Sequence, residues 1–209
     1  MAFDPNCASW AELGIYQLSE LHELTIKSVH QIGYKHFAEF WEAAGMPKTA
    51  AVALAGHDVQ QVLVHERISS ILLAFGMFEG GLTRLAVEVL KNSDLGLSIN
   101  DFTGNGINRA KVVLAKVGGV SLAFSNPDWE FLTKVALLRN IVLHSGGVVD
   151  PNNTKHNDML KQDGVTSVGL SDDGTMIFSI SDDYLSKAYM SFRALLISLT
   201  SEVQGMAQC

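Results

Sequence analysis

Residues 68–82 of the chain, ISSILLAFGMFEGGL, decide its fold. Apolar residues recur there at steps of three and four, which places them on one face of an α-helix. This stripe consists of Ile68, Leu72, Phe75, Leu82 and Ala86. His57-Asp58 precedes the pattern and is the expected start of the periodic helix.

Polar and small residues interrupt that helix. Glu79 falls on the apolar stripe, where a carboxylate is costly unless a cation partners it. Two alternatives stay open: Glu79 pairs with Arg139, or it lies at the edge of the stripe in water or beside Arg84. Each glycine weakens a helix by up to about 1 kcal/mol relative to alanine. The three glycines therefore predict close approach by a neighbouring helix: Gly76, Gly80 and Gly81.

Helical spacing extends over most of the remaining chain. One long helix is predicted from Ser9 to Ala44, bent near Gly33 and stopped by Gly45-Met46-Pro47. A connection over 92–108 leads into a short helix over 107–117. A helix introduced by Pro127-Asp128 stops at Gly146-Gly147, with these core candidates: Trp129, Leu132, Ala136 and Leu143.

In the last part of the chain, β-strand signals precede the final helix. Two β-prone runs, 165–170 and 175–180, flank Asp173-Gly174, a hairpin signal. Asp182-Asp183 is expected to cap a final helix. The fold class is therefore mainly all-α, a helical bundle with a small β-hairpin before the last helix. We expect one domain over 1–209, with a helical extension over 1–56 and a core over 57–209.

Composition and charge limit the classes of function that the chain can have. The 209 residues are 47% apolar and 18% charged, with a net charge of -7. An acidic chain without runs of Lys and Arg is unsuited to coating nucleic acid, but it can still grip a few phosphates locally. The longest apolar run, residues 71–78, is shorter than the roughly 18 to 20 residues that span a bilayer. With Cys7 and Cys209 far apart and no leader pattern, a cytoplasmic protein without membrane contact is expected.

Arg139-Asn140-Ile141-Val142-Leu143-His144 carries the strongest chemical signal. Arginine can hold a phosphate through a planar fork of donors, and histidine can move protons near neutral pH. Asn140 and His144 stack on one helical face, but Arg139 and His144 point about 140° apart. Three features would bring both groups to one atom: the length of the arginine side chain, a loosened last turn, or a second copy of the helix packed alongside. A twofold dimer would bring two copies of each into one cleft.

The stretch Leu137 to Asp150 resembles the late helix and exit loop of the HEPN superfamily, whose motif is arginine, a polar residue, three residues and histidine. The likeness extends loosely over residues 60–205. It implies a helical bundle that dimerises through the motif helices. In active members, it implies a metal-independent endoribonuclease that uses the RNA 2'-hydroxyl as nucleophile and leaves a cyclic phosphate.

Carried over to this chain, the resemblance makes His144 the acid or base. It makes Arg139 the residue that holds the phosphate or favours the alkoxide, and Asn140 the residue that positions Arg139 and His144. Glu79 and Ser145 are expected to support the site. No metal or other cofactor is expected. RNA is the expected substrate, and a toxin or antiviral effector with an antitoxin or defence partner is the expected setting.

Other interpretations stay open. Arg139 and His144 can simply satisfy carbonyls at a helix end, in a noncatalytic HEPN-like module for dimerisation or partner docking. An unrelated helical ligand-binding protein is a third alternative. His22-Glu23 and His65-Glu66 begin like zinc-protease motifs but lack the second histidine. His156, expected in a polar loop, is interpreted as solvated or packed.

Overall fold

The computed structural model describes residues 4, 6–169 and 175–207. These residues form a mainly helical fold with a two-stranded antiparallel hairpin before the last helix, as predicted. The helices are α1 Ser9–Ser28, α2 Tyr34–Ala43, α3 Lys48–Lys91, α4 Gly106–Lys116, α5 Pro127–Ser145, α6 Thr154–Leu160 and α7 Asp182–Ala207. The strands are β1 Val165–Gly169 and β2 Met176–Ile180.

The first helix is interrupted where the sequence predicts a bend. A π-helical turn, Val29–Gly33, separates α1 from α2. Such a turn changes the hydrogen-bond register of a helix and redirects it. After α2, Gly45 adopts a φ of 88°, and Pro47 directly precedes α3. The predicted stop is therefore confirmed.

The central helix α3 begins nine residues before the expected start, at Lys48 and not at His57-Asp58. Alanine has the highest helix propensity, so the alanine-rich stretch continues the helix toward the N-terminus. Ala51 and Ala55 are buried there, where their small side chains allow close packing. The expected division between residues 56 and 57 falls inside this continuous helix.

The apolar face of α3 is wider than the predicted stripe. Phe75, Leu82 and Ala86 are buried as expected, but Ile68 and Leu72 are only partly buried. Helix α3 contacts α1, α2, α4, α5 and α7, so it buries more than one side. Further residues fill its core face: Ile71, Ala74, Phe78, Leu85 and Val89.

Close approach to α3 occurs at two of the three predicted glycines. A Cβ at Gly81 would lie 2.8 Å from Ala11 Cβ and 3.2 Å from Leu196 Cδ2, so α1 and α7 both press against this point. At Gly80 the ring of Trp10 would lie 3.1 Å away. The prediction was wrong for Gly76, which has nothing within 4 Å of an added Cβ.

The hairpin and α7 complete the core. Strands β1 and β2 pair in the register Val165↔Ile180 to Gly169↔Met176, while the Asp173-Gly174 turn lies outside the described residues. Ser181, and not Asp182-Asp183, caps α7, because its Oγ accepts the Tyr184 N–H at 3.1 Å. The predicted apolar face of α7 is buried: Leu185, Ala188, Phe192, Leu196, Leu199 and Val203.

Helix α3 is long and apolar enough to span a membrane by length and composition alone. However, 44% of the residues in its most apolar window are buried. A core helix enclosed by other helices passes the same length and composition test.

A polar cluster ties α1, α3 and α7 together. His22 is 4% exposed, and its Nδ1 lies 2.8 Å from Glu66 Oε2. Ser70 also donates to Glu66, at 2.8 Å. His22 Nε2 lies 3.4 Å from Asp182 Oδ1, and Arg67 holds that same carboxylate through two hydrogen bonds. His22 is therefore a structural residue that partners a partly buried carboxylate.

Replacing His22 with alanine should destabilise the protein by about 3 kcal/mol, because it leaves Glu66 short of a partner and opens a cavity. Guanidinium unfolding monitored by circular dichroism measures the loss. The exposed His30, the second residue of the π-helical turn, is the control, and its alanine variant should stay within about 0.5 kcal/mol of the wild type. Equal stability of the two variants would contradict this assignment.

Glu202 on α7 holds the turn that precedes α5. Its two carboxylate oxygens accept the N–H groups of Ser121, Leu122 and Ala123 at 2.7, 3.0 and 3.1 Å. Partial burial disfavours the charge, but the three donors outweigh it and hold the pKa of Glu202 below its ordinary value. This contribution to stability is present above the unfolded-state pKa and is lost as the pH falls through the lower folded-state pKa.

Glu202→Ala should cost about 1 to 2 kcal/mol near pH 7, since three backbone donors lose their charged acceptor. The difference from the wild type should shrink as the pH falls below the ordinary glutamate pKa of about 4.3 and through the lower folded-state pKa. Urea unfolding at pH 7, 5 and 3 measures it. A difference independent of pH would show that the charge of Glu202 contributes nothing.

Candidate active site

Helix α5 begins and ends at the residues that the sequence indicates. Asn126 accepts the Asp128 N–H at its start, with Pro127 as the first helical residue. Gly146 and Gly147 have φ angles of 62° and 79°, which end the helix in the left-handed region. Ser145 Oγ donates to the Ile141 carbonyl at 2.7 Å, so this side chain closes the last turn.

The exit loop of α5 is fixed by the hairpin. The Phe178 N–H donates to the Gly147 carbonyl at 2.9 Å, and the Val149 N–H donates to the Met176 carbonyl at 2.8 Å. These bonds add residues 147–149 to the free edge of β2, where Val148 forms a bridge with Ile177. The C-terminal end of α5, which carries His144, is therefore held by the sheet.

Arg139 lies on the side of α5 that faces α3. Its Nη2 is 3.9 Å from Glu79 Oε2, and Nη1 donates to Asn140 Oδ1 at 3.0 Å. The guanidinium also lies 5.9 Å from the ring centre of Phe75. Of the two alternatives for Glu79, the structure therefore contains the pair with Arg139, whereas Arg84 lies over the ring of Trp10. Arg139 and Glu79 are 34% and 29% exposed, so solvent reaches both.

Arg139 lines a cavity of about 360 Å³ that lies between α3, α4 and α5. The cavity wall includes Phe75, Glu79, Asn105, Asn108 and Asn140. Gly106 begins α4 at a φ of 52°, and a Cβ there would clash with the Glu79 carboxylate. The absence of a side chain at Gly106 leaves Glu79 free to point toward Arg139.

His144 faces a different cavity. This second space measures about 490 Å³ and lies between α5, its exit loop and α6. Its wall includes Ser145, Asp150, Lys155 and His156. His144 is exposed, so its ring is accessible to a ligand or to another protein surface.

Asn140 and Leu137 line both cavities. The predicted divergence of Arg139 and His144 is therefore confirmed within one protomer, since each opens into its own space and Asn140 lies at the boundary.

One face of α5 near the site is open. Asn140, Leu143 and His144 are all exposed, and Leu143 is 54% exposed. The expectation that Leu143 belongs to the core was wrong. Leu143 follows the buried Leu138 by five residues and so points about 140° away from it. An exposed leucine beside an exposed histidine gives this face both apolar and polar contact groups.

His156 is the residue that the sequence interpretation misplaced. It lies in α6 and not in a loop, and it is only 7% exposed. Its Nδ1 accepts the Asp150 N–H at 2.9 Å, and its ring contacts Phe178 at a centroid distance of 5.5 Å. The Asn153 cap on the Lys155 N–H could have indicated this helix from the sequence.

Within the described part of the chain, no three His, Cys, Asp or Glu side chains converge in a way that could hold a metal ion. Comparison of the chain with protein-family models, curated proteins and solved structures finds no match. The geometry of α5 and the resemblance of its motif therefore carry the functional interpretation.

Gly106→Ala should destabilise the protein by about 2 to 3 kcal/mol, because it combines an unfavourable positive φ with displacement of Glu79. Gly96→Ala is the matched control, since Gly96 has a φ of 62° but nothing within 4 Å of an added Cβ. It should lose only about 1 kcal/mol, the cost of the backbone conformation. Thermal unfolding compares the two variants, and equal losses would show that Glu79 does not constrain this position.

Proposed function

We propose that the chain is a metal-independent endoribonuclease that acts as a homodimer in the cytoplasm, as a toxin or antiviral effector. The observation that supports it most is the open face of α5, where exposed Asn140 lines both the cavity of Arg139 and the cavity of exposed His144. These are the residues of the HEPN-like motif, and the structure leaves them accessible. RNA is the proposed substrate.

The proposed reaction is an attack of the RNA 2'-hydroxyl oxygen on the adjacent phosphorus. The new bond closes a 2',3'-cyclic phosphate, and the bond from phosphorus to the 5'-oxygen of the next nucleotide breaks. One proton leaves the 2'-hydroxyl and one is delivered to the departing 5'-oxygen. His144 serves one of these transfers. Arg139 balances the charge that develops on the phosphate oxygens.

A dimer supplies what one protomer lacks. Arg139 and His144 of one chain diverge into separate cavities, so a single α5 does not direct both to one phosphate. Packing of two α5 helices about a twofold axis would place His144 of one chain near Arg139 of the other. Leu143, exposed beside His144, is an apolar contact for such packing.

A noncatalytic module for dimerisation or partner docking is the second candidate. The feature that favours it is the apolar surface of the N-terminal helices, where Leu21, Leu24, Ile32 and Phe40 are each 58% to 62% exposed. No residue of α2 is buried. Helices α1 and α2 and the π-helical turn between them therefore offer apolar side chains to another protein.

Arg139→Ala and His144→Ala should each reduce RNA cleavage by at least about 100-fold, because each removes charge stabilisation or proton transfer. Arg139→Lys should recover only part of the activity, since lysine keeps the charge without the planar fork. A fluorescence-quenched RNA substrate measures the rates in buffer with EDTA. The exposed His36→Ala is the control and should cleave at the wild-type rate.

Mixed dimers test the shared site. When Arg139→Ala and His144→Ala chains are exchanged into mixed dimers, about half of the dimers contain one chain of each kind. Each such dimer has one complete pair, so about a quarter of the wild-type activity should return. Absence of any recovery from demonstrated mixed dimers would exclude the shared site. Wild-type protein that cleaves no RNA in any oligomeric state would favour the noncatalytic module.

A further inference from the structure

The cavity beside His144 is lined by more polar and charged groups than a proton transfer requires. One part of its wall is apolar and is formed by Leu137, Ile141 and Val148. The rest of its wall carries two amides, a cation, a carboxylate and two imidazoles: Asn140, Asn153, Lys155, Asp150, His144 and His156. At about 490 Å³ it falls within the usual range for small-ligand sites.

His156 gives this cavity a fixed hydrogen-bond donor. His156 is only 7% exposed, and its Nδ1 already accepts the Asp150 N–H. A neutral imidazole with an accepting Nδ1 carries its proton on Nε2. Among the described residues, none accepts a hydrogen bond from that Nε2. An N–H donor on the cavity wall can therefore bond to an acceptor of a ligand that enters the cavity.

The charge of the cavity argues against a site for phosphate alone. Lys155 supplies one positive charge, and Asp150 on the same wall supplies one negative charge. A phosphate would be repelled by that carboxylate. A nucleobase, in contrast, presents N–H donors and carbonyl or ring-nitrogen acceptors along one edge and an apolar face above it. The mixture of groups in the cavity matches this combination.

We propose that this cavity binds a nucleobase of the RNA next to the bond that is cut, and that guanine fits it best. The inference rests on the proposed function, because it assumes that RNA occupies the neighbouring site. Guanine offers two adjacent N–H donors to the Asp150 carboxylate. It also offers O6 and N7, an adjacent pair of acceptors, to Lys155 and His156.

The Asp150 carboxylate remains able to take part. Its Oδ1 accepts the Asn152 N–H at 2.9 Å, which fixes the orientation of the group and leaves lone pairs on both oxygens. Lys155 is exposed, and no ion pair joins it to another described residue, so its ammonium is free to reach a base. Asp150 and Lys155 are therefore the specificity-determining residues of the proposed subsite.

Calorimetric titration of the full chain with GMP, AMP, CMP, UMP and inorganic phosphate at one ionic strength tests the proposal. GMP should bind about tenfold more tightly than the other three nucleotides, and inorganic phosphate should not displace it. Asp150→Asn, which keeps the acceptor for Asn152, and Lys155→Met should each weaken GMP binding about tenfold. Lys161→Gln is the matched control on α6, because Lys161 pairs with Asp158 and should leave GMP binding unchanged.

Several results would overturn the subsite: equal binding of the four nucleotides, displacement of GMP by phosphate, or GMP binding that is unchanged in both variants. Thermal unfolding verifies that each variant is folded. Because binding is measured without cleavage, the two proposals fail separately. GMP-selective binding in a protein that cuts no RNA keeps the base subsite and rejects the ribonuclease. Cleavage without any preference for guanine, together with unselective binding, keeps the ribonuclease and rejects the subsite.

Discussion

The burial of α3 governs the rest of the structure, and its tightest point is Gly81. Ala11 of α1 and Leu196 of α7 approach this residue so closely that an added Cβ would collide with Ala11 and crowd Leu196. A glycine within a helix costs up to about 1 kcal/mol relative to alanine. Here the close packing of three helices offsets that cost, since the apolar surface removed from water is worth roughly 25 cal/mol per Å².

That packing also sets the orientation of the candidate site. Helix α3 carries Phe75 and Glu79 one turn apart, and both contact Arg139 on α5. Arg139 is thereby held toward α3, while the hairpin holds the other end of α5 through the exit loop. The two ends of the candidate site, at Arg139 and at His144, are positioned by different parts of the fold. Their divergence is therefore a property of the architecture and not only of helical spacing.

The sequence predicted the parts of the fold that depend on local signals. The stop at Gly146-Gly147, the interruption near Gly33 and the apolar face of α7 follow from glycine geometry and helical periodicity. The start of α3 was missed because an alanine-rich stretch has no strong periodicity, although alanine favours helix. Ser181 was missed as the cap because Asp182 and Asp183 are equally good capping residues, and Asp182 is engaged by Arg67.

The surroundings of the candidate site residues were predicted only in part. The cost of a carboxylate on an apolar stripe left two alternatives for Glu79, and the structure contains the pair with Arg139. The positions of His22 and His156 depend on contacts between segments distant in sequence, which periodicity does not report. His22 is buried against Glu66, 44 residues away, and His156 is buried under the hairpin residue Phe178.

The hairpin positions two parts of the cavity beside His144. Strand β2 pairs with Gly147 and Val149 through its backbone, and its Phe178 side chain packs on His156. One strand therefore positions both the end of α5 after His144 and the imidazole across the cavity from it. A two-stranded sheet is marginally stable alone, but here it packs against α3 and is joined by the exit loop. Its role is to hold the two walls of one cavity in place relative to each other.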